Sequence, residues 1–177
     1  MTKAIFLDRD GVLNRFTIRD GTPRPPAGVD QLEIFPDAAD SLRRLKEAGY
    51  LLIVVTNQPD VARGLVTRAA VDAIHEYMRQ HLTLDEIRVC FHDDEHGCAC
   101  RKPKPGMIYA AAVEREIELA RSFMIGDRWR DIGAGKAAGC RTILVNAIVE
   151  KTRIEPDVEL ASLLAASTWI LDKSGRA

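Results

Sequence analysis

Short apolar segments alternate with amphipathic segments along most of this chain of 177 residues. Runs of four or five mainly apolar residues bounded by polar ones predict buried strands. We predict such strands at residues 4–7, 51–55, 87–91, 122–126 and 142–145, with a further short strand at 157–161. We predict helices at 36–49, 67–81, 105–121 and 129–138, and a closing helix at 162–171. This alternation is typical of a parallel sheet with helices on both faces, so we expect a three-layer, Rossmann-like α/β fold.

Length and composition place this fold in a single domain of ordinary solubility. The chain has about one domain's worth of residues, and we treat residues 1–177 as one domain. Residues 15–33 are polar and rich in proline and glycine, which predicts a long irregular loop.

The charge balance limits the classes of partner. The 25 lysines and arginines against 26 aspartates and glutamates leave a net charge of −1, which argues against nucleic acid and anionic membranes as partners. No run approaches the roughly 20 apolar residues of a membrane span. The first residues, Met1 to Asp8, reach an acid too early for a signal peptide, so we expect a cytoplasmic protein.

Polar side chains follow three of the predicted strands where each strand ends. Asp8 and Asp10 follow the first, Thr56 and Asn57 end the second, and Asp127 follows the fourth. Because ligands bind beyond the carboxyl ends of parallel strands, these side chains are candidates for one site. Two neighbouring carboxylates repel each other, and Mg²⁺ compensates them.

Such a pair of carboxylates can divide the chemistry of a reaction. One can act as a nucleophile while the other acts as a general acid and base. Thr56 offers a hydroxyl to phosphate oxygens, and Lys102 offers a positive charge just before a predicted helix. The alternative for Asp8 and Asp10 is a solvated Asp-Arg-Asp turn, which the signals on the other strands make improbable.

Three of the four cysteines lie close together beside a histidine. The pattern is Cys90-x-His92, then five residues, then Cys98-x-Cys100. Four nitrogen and sulfur ligands on a short loop predict a closed, tetrahedral Zn²⁺ site with a structural role. Free thiols in a surface loop are the alternative, and His96 is a second candidate for the histidine ligand.

Taken together, these segments resemble the haloacid dehalogenase superfamily of aspartate-nucleophile phosphatases. More narrowly, the chain is similar to the zinc-loop group that contains heptose-bisphosphate and histidinol-phosphate phosphatases. The resemblance covers residues 3–145 and rests on five segments: Leu7–Gly11, Val55–Gln58, Cys90 with His92, Cys98–Pro103 and Gly126–Arg128.

This resemblance implies a role for each matching residue. Asp8 is expected to attack phosphorus, and Asp10 to protonate the leaving oxygen and then deprotonate the attacking water. Mg²⁺ is expected on Asp8, the backbone carbonyl of Asp10 and Asp127. Thr56 and Lys102 are expected to hold the transferring phosphoryl group.

The resemblance also selects between alternatives around these residues. It favours His92 over His96 as the fourth Zn²⁺ ligand, and it makes Asp131 an outer partner of the Mg²⁺ site. Many members of the superfamily carry a cap domain, but here residues 14–36 are too short for one and residues 90–100 are committed to metal. We therefore expect a capless enzyme with an open site, whose substrate meets rim loops at 15–33 and 58–64 and the zinc loop. The substrate-binding residues expected there are Asn57, Gln58, Arg63, Arg101 and Arg128.

The substrate implied is a small phosphorylated metabolite, in first place a heptose 1,7-bisphosphate cleaved at C7. Residues 58–64, which end in Ala-Arg-Gly, favour this substrate. The five-residue gap between His92 and Cys98 favours histidinol phosphate instead. A catalytically silent zinc-binding scaffold is a further alternative, against which the presence of both Asp8 and Asp10 argues. We expect the protein to act as a monomer.

Overall fold

A central sheet of six parallel strands organises the chain. The computed structural model describes residues 2–19, 21–147 and 152–174. The six strands are β1 (Lys3–Leu7), β4 (Tyr50–Asn57), β5 (Glu86–Cys90), β6 (Phe123–Gly126), β7 (Arg141–Val145) and β8 (Val158–Leu160). They lie in the order β5-β4-β1-β6-β7-β8, and every neighbouring pair is parallel. The predicted fold class is confirmed.

Helices cover both faces of this sheet. They are α1 (Ala38–Glu47), α2 (Arg68–His81), α3 (Gly106–Arg115), α4 (Trp129–Ala138) and α5 (Leu163–Ser174). Alternate residues of β1 point to opposite faces: Ile5 and Leu7 pack in the core under α1, α2 and α5, whereas Ala4 and Phe6 pack under α3 and α4. All four are fully buried, as expected for a strand covered on both sides.

The segment 15–33 contains regular structure, contrary to the prediction of an irregular loop. Strands β2 (Thr17–Arg19) and β3 (Thr22–Arg24) form an antiparallel hairpin, and a single 3₁₀ turn follows at Val29–Gln31. The sequence signal for it is Asp20-Gly21, a dipeptide typical of tight hairpins. Proline at position 23 is compatible with this structure because both strands of an isolated hairpin are edges.

Helix α3 ends six residues earlier than predicted. It stops at Arg115, and Glu116 adopts a left-handed conformation with φ of 53°. This turn lets the buried Ile117 form a parallel bridge with Thr2 beside the sheet. A 3₁₀ turn at Leu119–Arg121 completes the connection to β6.

The strand order sets the position of the candidate site. Because β1 lies between β4 and β6, Asp8 emerges between Thr56 on one side and Asp127 on the other. The end of β5, next to β4, brings Cys90 to the same edge of the sheet. Within the described ranges, no helix is both long and apolar enough to cross a bilayer.

Candidate active site and metal cluster

Three carboxylates converge beyond the ends of β1 and β6. Oxygen atoms of Asp8, Asp127 and Asp131 all lie within 4.8 Å of one another. The ammonium group of Lys102 lies 2.9 Å from Oδ1 of Asp8 and 2.5 Å from Oδ1 of Asp131. One ammonium among three carboxylates leaves an excess of negative charge in a largely buried place.

Two glycines make this close approach possible. Gly11 has φ of +83°, and a side chain there would collide with the carboxylate of Asp127. A side chain at Gly126 would collide with Asp131 in the same way. Both glycines belong to the sequence segments that suggested the site, and the structure supplies the steric reason for them.

The pKa values report this crowding. Burial raises the pKa of Asp8 to about 6, with Lys102 opposing the shift and Asp131 adding to it. Burial, followed by repulsion from Asp131 and Asp8, raises the pKa of Asp127 well above its usual range. Burial alone would lower the pKa of Lys102, but the attraction of Asp131 and Asp8 raises it instead.

The donor set around Asp127 fits a divalent cation. Both of its carboxylate oxygens are buried and lack a hydrogen-bond partner among residues 2–19, 21–147 and 152–174. Nε of Arg128 lies 3.6 Å from Oδ2, which is beyond hydrogen-bond distance. Buried carboxylate oxygens without a hydrogen-bond partner are rare in proteins, and a water or an ion usually satisfies them. Oxygen ligands with excess negative charge suit Mg²⁺.

Asp131, which was expected as an outer partner of the metal site, has its carboxylate in this cluster. Its Oδ2 accepts a hydrogen bond from the backbone N–H of Arg128 at 3.1 Å, and its Oδ1 accepts from Lys102. Asp131 therefore fixes both the start of α4 and the cation of the site.

Asp10 lies apart from this cluster, in a ring of hydrogen-bond donors. The guanidinium group of Arg9 donates to both of its oxygens at 2.9–3.2 Å. Asn14 donates to Oδ1 at 3.0 Å and Gln58 to Oδ2 at 2.9 Å. Burial alone would raise the pKa of Asp10, but the charge of Arg9 and these hydrogen bonds lower it. Sequence reasoning did not identify Arg9 or Asn14 as part of the site.

Three residues at the end of β4, at positions 56–58, were predicted to contact the phosphoryl group or the substrate. The amide nitrogen of Gln58 lies 2.9 Å from the hydroxyl oxygen of Thr56, and both side chains are buried. Asn57, which is predicted to contact substrate, lines the pocket and also holds Lys102. Its amide accepts from the backbone N–H of Lys102 and donates to the carbonyl of Lys102, both at 3.1 Å. Asn57 thus fixes the backbone of Lys102, whose ammonium group lies in the carboxylate cluster.

An open pocket of about 270 Å³ lies over these residues. Three predicted substrate-binding arginines, Arg63, Arg101 and Arg128, line it together with Arg24 and Arg130. The guanidinium carbon of Arg128 lies over the ring of Phe16, 5.1 Å from its centroid.

Two of the rim arginines hold the zinc loop. Arg63 makes two hydrogen bonds of 2.6 and 2.7 Å to Asp93, which join the 58–64 loop to the zinc loop. Arg101 binds Asp94 at 2.8 Å and the carbonyl of His92 at 3.2 Å. Both arginines therefore bring positive charge to the lining of the pocket, and their bonds to Asp93 and Asp94 fix the positions of their side chains.

The cysteine cluster has the geometry expected for a tetrahedral metal. The three sulfur–sulfur distances among Cys90, Cys98 and Cys100 are 3.2, 3.4 and 3.7 Å, and no disulfide forms among them. Nδ1 of His92 lies 3.6 Å from Cys90 and 3.3 Å from Cys100. Zn–S bonds of about 2.3 Å in a tetrahedron imply sulfur–sulfur distances of about 3.8 Å, so the cluster needs only a small expansion to hold Zn²⁺.

His96, the second candidate, serves the loop in another way. Its Nδ1 accepts a hydrogen bond from the backbone N–H of Asp93 at 3.1 Å, which caps a single 3₁₀ turn.

Burial raises the pKa of the Cys90 thiol to about 12, so a thiolate there needs a cation beside it. The four predicted ligands are brought together, and they fit Zn²⁺.

We predict that the purified protein contains about one Zn²⁺ per chain, because the four ligands close the coordination sphere. Elemental analysis checks this. Cys100→Ser should lower both metal content and melting temperature, since it removes one of the four ligands that hold the loop together. Cys140→Ser is the matched control, because Cys140 lies in the core outside the cluster. Native protein without zinc, and with Cys90 and Cys98 titrating as free thiols, would contradict the prediction.

Comparisons with known proteins agree with this geometry. A family model described as HAD-hydrolase-like matches residues 99–166. The D-glycero-β-D-manno-heptose-1,7-bisphosphate 7-phosphatase of Pasteurella multocida is 41% identical over 157 residues, which is 82% of each chain. The enzyme of the same name from Escherichia coli K12 is 35% identical and spans 96% of this chain and 88% of its own.

A solved structure shows the same likeness in three dimensions. It is the D,D-heptose 1,7-bisphosphate phosphatase of B. bronchiseptica, complexed with magnesium and phosphate. The two folds superpose with a TM-score of 0.85 over 97% of this chain and 99% of that one, at 32% sequence identity.

Proposed function

The chain belongs to the haloacid dehalogenase hydrolases, in the family of the heptose-bisphosphate 7-phosphatases, and from this membership we propose that it removes the C7 phosphate of D-glycero-D-manno-heptose 1,7-bisphosphate. It is a magnesium-dependent phosphatase. The observation that carries the proposal is the cluster of Asp8, Asp127 and Asp131, which fits Mg²⁺, with the ammonium group of Lys102 against Asp8.

The geometry around Asp8 suits a nucleophile. Its Oδ1 accepts hydrogen bonds from Lys102 and from the backbone N–H of Arg9 at 2.8 Å, whereas none of the described residues donates a hydrogen bond to its Oδ2. Oδ2 is therefore the oxygen we assign to the attack on phosphorus. The P–O bond to the sugar breaks as the bond to Asp8 forms, which gives a phospho-aspartyl group.

Lys102 and Thr56 face the transferring phosphoryl group in this proposal. Phosphoryl transfer depends mainly on positioning and on neutralisation of charge over the phosphoryl oxygens. Lys102 is fixed by Asn57 and Asp131, so its charge is in place before substrate arrives. When bound to Asp8, Asp127 and the backbone carbonyl of Asp10, with Asp131 beside them, Mg²⁺ would supply further charge neutralisation.

Asp10 exchanges the protons of both half-reactions. It gives a proton to the departing sugar oxygen and then takes one from the water that cleaves the phospho-aspartyl group. The hydrogen bonds of the free site hold Asp10 ionised, as the second step requires. An arriving phosphoryl dianion raises the pKa of a neighbouring carboxyl, and this favours the protonated form that the first step requires.

The rim supports a substrate with a second phosphate. The pocket is open and gains little by enclosing a small monophosphate, so binding energy has to come from its edge. Arg101 and Arg128 line that edge, and arginine binds phosphate through charge-assisted hydrogen bonds. Energy from the distant phosphate can also raise kcat by orienting the reacting one.

We predict that kcat/KM with Mg²⁺ is higher for the heptose bisphosphate than for the heptose monophosphate or histidinol phosphate. Arg101→Ala should reduce the value for the bisphosphate by about 10-fold or more, and the value for an aryl phosphate much less. Arg121→Ala, on an exposed turn outside the pocket, is the matched control. A tenfold preference for histidinol phosphate would show that the gap between His92 and Cys98 was the better guide to substrate.

The remaining expectations concern organisation and location. We propose that residues 1–177 form one phosphatase domain that acts as a monomer, because one chain supplies the carboxylate cluster, Lys102 and the arginines at the rim of the pocket. We also propose a cytoplasmic location, since a cluster of reduced, metal-binding thiols suits a reducing compartment. Gel filtration with light scattering tests the oligomeric state.

A further inference from the structure

A buried arginine, Arg9, contacts Asp10, the proposed general acid and base. The side chain of Arg9 is fully buried, although arginine is almost never found so without partners. Nε and Nη2 of its guanidinium group are used by Asp10. The remaining nitrogen, Nη1, points towards α2 and lies 3.1 Å from Nε2 of His75.

The chemistry of this pair fixes the state of His75. Arginine stays protonated and only donates, so Nε2 of His75 is the acceptor and the ring proton sits on Nδ1. Burial and the charge of Arg9 lower the pKa of His75 to about 3, which keeps the imidazole neutral. His75 is 2% exposed and lies on the buried face of α2, together with Ile74 and Met78. The catalytic scheme given above makes no use of it.

We propose that His75 is a positioning residue that acts through Arg9 on Asp10. By accepting from Nη1, the imidazole holds the guanidinium plane so that its other edge meets both oxygens of Asp10. Helix α2 lies outside the catalytic loops, so the contact ties the orientation of Asp10 to the packed core. This inference rests on the proposed function, because it concerns the residue that moves protons there.

The geometry favours such a role over simple core filling. An apolar residue of similar size would fill the same space under α2, but it would leave Nη1 of Arg9 buried without an acceptor. An unsatisfied buried donor costs about 1–3 kcal/mol, and the guanidinium group relieves this by turning. Because two edges of one rigid plane serve His75 and Asp10, any such turn also displaces the donors of Asp10.

The test compares leaving groups. A misplaced general acid slows the expulsion of a poor leaving group more than that of a good one, because only the poor one needs the proton. We expect His75→Leu to lower kcat/KM about 10-fold for phenyl phosphate but less than about 3-fold for 4-nitrophenyl phosphate. His75→Gln retains an acceptor oxygen and should recover most of the loss for phenyl phosphate.

Two controls separate this effect from general destabilisation. Met78→Ala removes a buried side chain one turn along α2 without touching Arg9, and it should lower the melting temperature while leaving the ratio between the two substrates unchanged. His81→Ala changes the exposed histidine of the same helix and should alter neither quantity. An equal loss for both substrates in His75→Leu would overturn the inference.

Failure of the proposed function would look different, since the unmodified protein would then release no phosphate from either substrate. If His75→Leu does not fold, nitrogen NMR of the unmodified protein with labelled histidine provides the second measurement. We expect one histidine to remain neutral, with its proton on Nδ1, down to pH 5. A protonated His75, or a proton on Nε2, would contradict the contact with Arg9 on which the inference depends.

Discussion

Asp8→Asn is expected to reduce phosphate release to below about 10⁻⁴ of the unmodified rate, because an amide oxygen cannot form the phospho-aspartyl group and nucleophile removal commonly has effects of this size. The fold should survive. The amide oxygen of asparagine still accepts from Lys102 and from the backbone N–H of Arg9. The substitution also removes one of three mutually repelling carboxylates. Phosphate release and urea unfolding of the metal-free protein measure the two effects.

Asp72→Asn is the matched control for Asp8→Asn. It makes the same chemical change on the exposed face of α2 and should leave activity and stability near their original values. Purified Asp8→Asn protein with near-full activity would exclude the covalent mechanism. Inactive protein that has lost its stability would leave the nucleophile unproven, so the two measurements are made on the same preparation.

The fold was largely predictable because its signal is local. A strand covered on both faces must be apolar along its length, and β1, β4 and β7 show this in sequence without any knowledge of their neighbours. The hairpin β2–β3 was not predicted because it is short and polar and contains Pro23, features shared by irregular loops. The end of α3 depends on the burial of Ile117 beside Thr2, which is a long-range contact and leaves no local mark.

In the candidate site, too, the residues with a local sequence signal were predicted and those placed by long-range contacts were not. Asp8, Asp127 and Lys102 follow predicted strands or precede a helix, so topology alone places them together. The supporting contacts come from residues whose types look ordinary in sequence. Arg9 appears as a solvent-exposed charge between two aspartates, and His75 as one position of an amphipathic helix. Only the three-dimensional structure shows that these two side chains touch.

Asp10→Asn is expected to lower kcat/KM by about 10²–10⁴-fold, the usual contribution of a general acid and base. Unlike Asp8→Asn, it should also destabilise the protein. Asp10 is the counterion of the fully buried Arg9, and removal of one partner of a buried ion pair costs about 3–5 kcal/mol. The asparagine also turns an amide NH₂ towards the donors Arg9, Asn14 and Gln58, where a carboxylate had only acceptors.

The double variant Arg9→Met, Asp10→Asn separates the two losses. Removing both charges takes away the unpaired guanidinium group, so the free energy of unfolding should recover most of what Asp10→Asn lost. Activity should stay low, because the proton-transferring carboxylate is still missing. Urea unfolding and kcat/KM for phenyl phosphate, measured on all three proteins, give the comparison. An Asp10→Asn protein with stability unchanged would mean that Arg9 finds another counterion, and recovery of activity in the double variant would show that the carboxylate of Asp10 carries no proton in the reaction.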